Sequence, residues 1–473
     1  TLTKRRGDMA KRIEQLSDSL LDHYLVVSLL LALIILTQVG VGNIKIVSLL
    51  GLLLCAIGIL QRNITVDLWI FIPLVLYTLI GTVSSWRVYG NITDGYASTQ
   101  ALFPVLYLIM ACLDKYERHL LKYLCSAWVG FTAIIGIDQF IARALFQQRA
   151  WRASGFLGNP NALGIFLVIG WFSLLCCMAI QEESGNADVQ CCKMPFLPYL
   201  EPILLICLAL TLSMGSFLAM AAGIFMLVRK KGQNFSRAET FQYGCCLLAK
   251  ASLGLGTGIL IYLAAARTSV PLSCIPLLFY AAVMVYCWRT YTIFLAQKPR
   301  TAGFIALMGI LVAAAAIAVR PSSFATFAER LEMMKNGLHY FTKNPLLGIG
   351  PYQWRLFNLY DSSKYFNTWH IHNVLIHIGA ELGWIALAML VLIAVCVYRK
   401  KNTPEEKAGF TAFCFHNMID TSFFYLAIFS LTMLTVGNPG RNGQKLGTAA
   451  VRVFFSLSAV IFACHLGYSL WMG

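Results

Sequence analysis

Arg152, Arg330 and the trio His370, His372 and His377 are the residues of this 473-residue chain whose types and surroundings suit chemistry best. An arginine presents a planar fork that meets phosphate oxygens two at a time and does not deprotonate. A histidine titrates near neutrality and can take a proton from a hydroxyl group. His372 stands just before an apolar run that begins at Val374. The positive end of a helix disfavours an added cation, so an imidazole at that position is suited to accept a proton. His377 and Glu381 are four residues apart, as are His416 and Asp420, so each pair shares a helix face. Glu381 reads either as support for the histidine region or as a packing bridge. His416 and Asp420 read as a structural tie in the inner half of a span. Arg149, Arg320 and Arg355 are weaker candidates for holding an anion.

The elements that must position these residues are membrane helices. Hydrophobic residues make up 58% of the chain and charged ones 12%, with a mean hydropathy of +0.69. No water-soluble fold of this length hides that much apolar surface. A helix that crosses a bilayer needs about 20 apolar residues. Runs of that kind predict an all-α polytopic bundle of about fourteen transmembrane helices, twelve to fourteen allowing for short runs. They lie near Tyr24–Val41, Ile44–Leu60, Val66–Ser84, Thr99–Leu113 and Leu120–Leu145, then Asn161–Ile180, Tyr199–Ser213, Ser216–Val228, Tyr243–Ala266 and Leu272–Phe294. Thr301–Val319, Val374–Tyr398, Phe410–Val436 and Ala449–Met472 complete the set.

The net charge of +16 finds a topological account before one in nucleic-acid binding. Lys4 to Arg12, Arg229 to Lys231, Trp288 to Arg300 and Arg399 to Lys401 all fall on one side of a fourteen-span arrangement. The positive-inside rule makes that side cytoplasmic, with both termini there. The organisation expected is a cytoplasmic segment 1–23, helices in 24–319, an outward loop 320–373 and the last three helices in 374–473. The fifteen cysteines sit mostly in apolar runs, which argues against a disulfide framework and against zinc.

Long ordered loops usually carry function, which points outward, to 320–373. Phe324, Phe327, Leu331, Met334, Leu338 and Phe341 recur at helical spacing, predicting an amphipathic helix that lies on the membrane or caps the bundle. Asn344-Pro345 ends it, and Gly348, Gly350 and Pro351 make a tight turn. Arg330 borders the apolar stripe, either snorkelling or pointing into a cleft. Tyr352, Trp354, Phe357, Tyr360, Tyr365 and Trp369 suit a membrane interface and equally suit the faces of sugars. Outward acids (Glu329, Glu332, Asp361) are few and scattered, which is a poor ligand set for a hard cation.

Three outward segments together resemble the O-antigen ligase and polymerase family. They are Arg152-Ala153-Ser154-Gly155-Phe156-Leu157-Gly158-Asn159-Pro160-Asn161, then Arg330 with Lys343-Asn344-Pro345-Leu346-Leu347-Gly348-Ile349-Gly350-Pro351, then His370-Ile371-His372-Asn373 continued by Gly379-Ala380-Glu381-Leu382-Gly383. His416 and Asp420 are similar to a polar pair of the family. The chain departs in reading Ser213-Met214-Gly215 where the family commonly has Ser-Arg-Gly, and in an extra pair of helices between Tyr243 and Arg300.

The resemblance implies a bacterial cytoplasmic-membrane glycosyltransferase. It would move glycan from an undecaprenyl-diphosphate carrier to a glycan or lipid-linked acceptor, without metal or cofactor and with inversion. In that frame His372 is the base and Arg152 and Arg330 hold the diphosphate. Asn161, Gly350, His370, Asn373 and Glu381 give support. A lipid-linked oligosaccharide flippase and a membrane acyltransferase are the competing readings. The chain shows no internal repeat or row of mid-span charges of the kind a flippase needs, and an acyltransferase does not call for paired arginines.

Overall fold

The computed structural model describes residues 22–62, 64–147, 151–184, 194–267, 274–319, 322–361, 366, 368–435 and 443–472. Within a bilayer every backbone N–H and C=O must be satisfied in its own segment, so apolar runs become helices. The first third holds α1 (Tyr24–Val39), α2 (Ile44–Ile59), a short strand β1 (Ile64–Val66) and α3 (Leu68–Tyr89), followed by α4 (Ala97–Gln100), α5 (Leu102–Ala111) and α6 (Lys115–Gln147). Next come α7 (Pro160–Ser184), α8 (Leu197–Thr211), α9 (Met214–Lys231), α10 (Arg237–Arg267), α11 (Cys274–Tyr286), α12 (Trp288–Gln297) and α13 (Pro299–Val319). The long loop before α16 supplies α14 (Ser322–Lys343) and α15 (Gln353–Asp361), and α16 (Val374–Arg399), α17 (Pro404–Asn417), α18 (Leu426–Thr435), β2 (Gln444–Leu446) and α19 (Thr448–Trp471) follow.

The all-helical architecture follows the predicted runs, but the count of about fourteen spans is not confirmed. Among the described residues six helices are long and apolar enough to cross a membrane, or seven when the bent pair α11–α12 counts as one. Several of the others are apolar but shorter, among them α1, α2, α8 and α18.

The bundle has two chemically distinct ends. At one, here the basic end, Lys231 pairs with Glu405 at 2.9 Å, Lys400 with Asp67 at 3.1 Å, and Lys122 with Glu406. Thr403 and Glu406 form a capping box that starts α17 there. β1 and β2 pair antiparallel at this end. The other end carries the start of α7, the start of α16 and the outer loop.

Two expectations are corrected. Phe410–Val436 is not one span. It breaks after Asn417, where Asn417 Oδ1 accepts from Phe423 N (2.7 Å) and Asp420 Oδ1 from Thr421 N (2.8 Å). Short polar side chains that bond the main chain compete with the helical ladder, and here they win. The chain then returns to the basic end to form β2. As a result α19 runs the other way from the expected last helix. It starts beside β2 and ends with His465 Nδ1 3.1 Å from Thr93 Oγ1 and with Tyr468 donating to Asp94 (3.4 Å). The last helix therefore finishes at the loop end, not at the basic end with the start of α1, where His23 sits 3.6 Å from Glu117.

The outer helix α14 docks on α16 through Met333, Gly337, Tyr340 and Phe341, and leaves Phe327, Leu331 and Leu338 exposed. The contact row is thus rotated from the predicted stripe, whose Phe324 side chain lies outside the described residues. Behind α14 the loop is joined to α16 by main-chain hydrogen bonds. Ile349 N donates to Ala380 O (2.9 Å), Gly350 N to Glu381 O (2.8 Å) and Trp384 N to Pro345 O (2.7 Å). The carbonyls are free because Gly383, at φ 79° and ψ −174°, interrupts α16. Gly348 has φ +63°, and a Cβ there would run into the main chain of Glu381; one on Gly383 would meet the carbonyl of Leu346. Gly383→Ala and Gly348→Ala should each cost about 1–3 kcal/mol in strain and lower the thermal unfolding midpoint of the purified protein. Gly256→Ala, in α10 with nothing within 4 Å of the added carbon, should leave the midpoint unchanged or raise it slightly.

Candidate functional site

The sequence between Asn417 and Tyr425 turns Asp420 inward at the loop end of the bundle, where it is buried and meets three other segments. His372 Nδ1, just before α16, lies 3.4 Å from Asp420 Oδ1. Arg330 of α14 lies 3.7 Å from Oδ2 and donates to Ile419 O at 2.8 Å. Asn161, in the first turn of α7, donates to Oδ2 at 2.9 Å. Burial alone would raise the carboxyl's pKa. The contact with His372, with the charges of His416, His372 and Arg330, outweighs that and holds it well below the ordinary carboxylate range.

Arg152 joins this group at one remove. It donates through NH2 to Asn161 Oδ1 (2.6 Å) and through Nε to Thr211 O (2.7 Å), while Ala153 N donates to Leu210 O (2.9 Å). A cation at the C-terminal end of α8 suits its unsatisfied carbonyls. Asn161 therefore passes a chain of contacts from Arg152 to Asp420. The three residues singled out by the sequence converge: His372 and Arg330 on Asp420 directly, and Arg152 through Asn161.

The supporting residues separate into two groups. Asn373 is the N-cap of α16, accepting from Ile376 N (3.1 Å) and donating to Met418 O (3.1 Å), so it ties His372 to the Asp420 turn. His370, His377 and Glu381 form a second, fully internal row. His370 Nδ1 is 3.2 Å from His377 Nε2, which is 3.3 Å from Glu381 Oε2. Glu381 also accepts from Tyr352 N (2.9 Å) and Trp354 N (3.1 Å). His370 stacks on Phe424 with ring centroids 4.0 Å apart. Burial, with His377, His372 and Arg355 nearby, lowers the pKa of His370 well below the usual histidine value. This row braces the loop against α16 and is closed off from solvent. Gly350, with φ +112°, serves the same seam.

His416 and Asp420 lie at the loop end, not in the inner half of a span, and do not make one tie: His416 is buried between Ser422 Oγ (2.9 Å) and Ser216 Oγ (3.4 Å). Asp420 is instead the group on which the site converges. Sequence spacing pointed its side chain along a helix that in fact ends three residues earlier. Arg149 and Arg320 lie outside the described residues. Arg355 stacks 3.6 Å over the ring of Trp369, whose remaining surface is open, 56% exposed. Arg87, in the last turn of α3, was not singled out; it donates to Gly348 O at 2.6 Å and so holds the glycine turn. Its only sequence signal was a cation closing an apolar run just before Gly90.

Residues 251–391 match the family model described as O-antigen ligase. The match supports the O-antigen ligase and polymerase family. It runs from α10 into α16 and takes in Arg330 and His372 but neither Arg152 nor Asp420. No curated protein matches the chain.

A buried anion that loses its partners, or cations that lose theirs, destabilise more than an exposed pair does. Asp420→Ala should lower folding stability by about 3–5 kcal/mol, read as a drop in the unfolding midpoint. The double variant Asp420→Ala with Arg330→Met should recover part of that loss, because it removes the orphaned charge as well.

Proposed function

We propose that this chain, an O-antigen ligase-like membrane glycosyltransferase, transfers glycan from a polyprenyl-diphosphate carrier to an acceptor hydroxyl at the loop end of the bundle. The bilayer face there is the extracytoplasmic one, since the opposite end carries Lys231, Lys400 and the other loop cations. The observation that carries the reading is the pairing of His372 and Arg330 on one buried carboxylate, with Arg152 linked to it through Asn161.

In this mechanism Asp420 fixes the imidazole of His372 with Nδ1 toward the carboxylate, leaving Nε2 as the basic nitrogen. The acceptor oxygen attacks the anomeric carbon from the side opposite the diphosphate, and its proton passes to Nε2. The bond between the anomeric carbon and the diphosphate oxygen breaks, the electron pair leaving on that oxygen. The new charge falls to Arg330 and Arg152, and Asp420 balances the imidazolium. One displacement inverts the anomeric centre. The arginines take the place a divalent cation fills in other lipid-diphosphate transferases. Met214, where the family commonly has arginine, leaves the diphosphate to these two.

The reaction is followed as release of polyprenyl diphosphate by purified protein in EDTA. Loss of a general base costs about 10²–10⁴-fold, so His372→Ala should cut turnover by that order and Asp420→Asn should follow it. Arg330→Ala should fall similarly, with little rescue by Arg330→Lys, which lacks the planar fork. Full activity in both His372→Ala and Arg330→Ala would overturn the assignment, and glycan translocation without transfer would favour a flippase. Trp369, braced by Arg355, offers its open face to a sugar ring. Trp369→Ala should raise the KM for glycan several-fold, on the order of the 1 kcal/mol of an aromatic stacking contact, with kcat little changed.

A further inference from the structure

At the basic end of the bundle, away from Asp420, the ends of α7 and α9 and the starts of α8 and α17 border a partly open cavity of about 680 Å³ against α10 and α12. The helices α10 to α12 are the stretch that the sequence marks as an extra pair, and α12 leaves α11 at a 65° bend. Tyr291, Ile293 and Phe294 on α12 are exposed, as suits a helix lying along the bilayer surface. The cavity is therefore at headgroup depth.

Its wall carries charges of both signs. Glu201 is buried, accepts from Trp171 Nε1 (3.2 Å) and Trp288 Nε1 (2.9 Å), and pairs with Lys250 at 3.0 Å. Glu405 pairs with Lys231 at 2.9 Å. These four charges balance one another, and each ammonium has three donors, so donors remain for a ligand. Two more charges line the space, Arg289 of α12 and Glu182 of α7, and neither has an ion-pair partner among the described residues. Apolar side chains such as Met178 and Leu247 complete the lining.

One cation and one anion without an ion-pair partner among the described residues, set in an apolar wall at the membrane surface, complement a molecule with a phosphate, an ammonium and hydrocarbon chains. We propose that this cavity binds the zwitterionic headgroup of a phospholipid, its phosphate on Arg289 and Lys250 and its ammonium on Glu182. The site lies at the opposite end from His372 and stands or falls independently of the transfer reaction.

The test is native mass spectrometry of the delipidated full chain, titrated with phosphatidylethanolamine, phosphatidylglycerol or free phosphoethanolamine. Phosphatidylethanolamine should bind in preference to phosphatidylglycerol. Arg289→Ala should weaken it about tenfold, the loss of one charge-assisted contact. Glu182→Gln should abolish the preference between the two lipids while leaving phosphatidylglycerol binding intact. Both substitutions are at exposed positions, and an unchanged unfolding midpoint checks that each variant folds. Equal binding of the two lipids, a preference for phosphatidylglycerol, or phosphatidylethanolamine binding untouched by both substitutions would overturn the proposal. So would free phosphoethanolamine binding as tightly as the lipid, which would make the ligand a soluble one.

Discussion

A carboxylate placed inside a helical bundle must find positive charge or hydrogen-bond donors close by, or it would not remain ionised. Asp420 is such a group, and most of the loop end of this protein is arranged around it. Arg330 arrives on α14, His372 on the approach to α16 and Asn161 on the first turn of α7. None of the three segments is adjacent to another in sequence, so the anion is what brings them to a common point. Arg152, bound to Asn161 and to the last carbonyl of α8, extends the same cluster to a fourth segment. The site is thus a polar knot in an otherwise apolar bundle, and its members lie against one another without a ligand.

Hydropathy made most of the helices legible, since their apolar runs leave the backbone no other way to bond itself. The observed starts and ends of α2, α7, α13, α16 and α19 fall within a few residues of the runs read from the chain. Pro345 and the glycines at 348 and 350 announced the turn after α14. Hydropathy failed between Phe410 and Val436, because Asn417, Asp420 and Ser422 are too few to depress the average of a long apolar run. Their side chains nevertheless bond the main chain and stop the helix. The role of Asp420 was hidden by the same error, which also reversed the direction of α19. His372 and Arg330 were legible from their neighbours, whereas Arg87 and the Arg355–Trp369 stack depend on contacts across hundreds of residues or on a side-chain rotamer, neither of which has a local signature.

The two ends of the bundle deal with charge differently. At the basic end, acids and lysines pair one to one, as in Lys231–Glu405 and Lys400–Asp67. At the loop end one acid is shared by an arginine, a histidine and an asparagine, with Arg152 one contact further on.

The loop is fastened to α16 by peptide groups. Ile349, Gly350 and Trp384 donate to carbonyls across the seam, and Glu381 receives the amides of Tyr352 and Trp354. Apart from Glu381 and the glycines, the stitching takes no account of which residues stand there. Outward-pointing positions such as Leu346, Leu356, Leu359 and Tyr360 can therefore be exchanged in the course of descent without loosening the frame that carries His372.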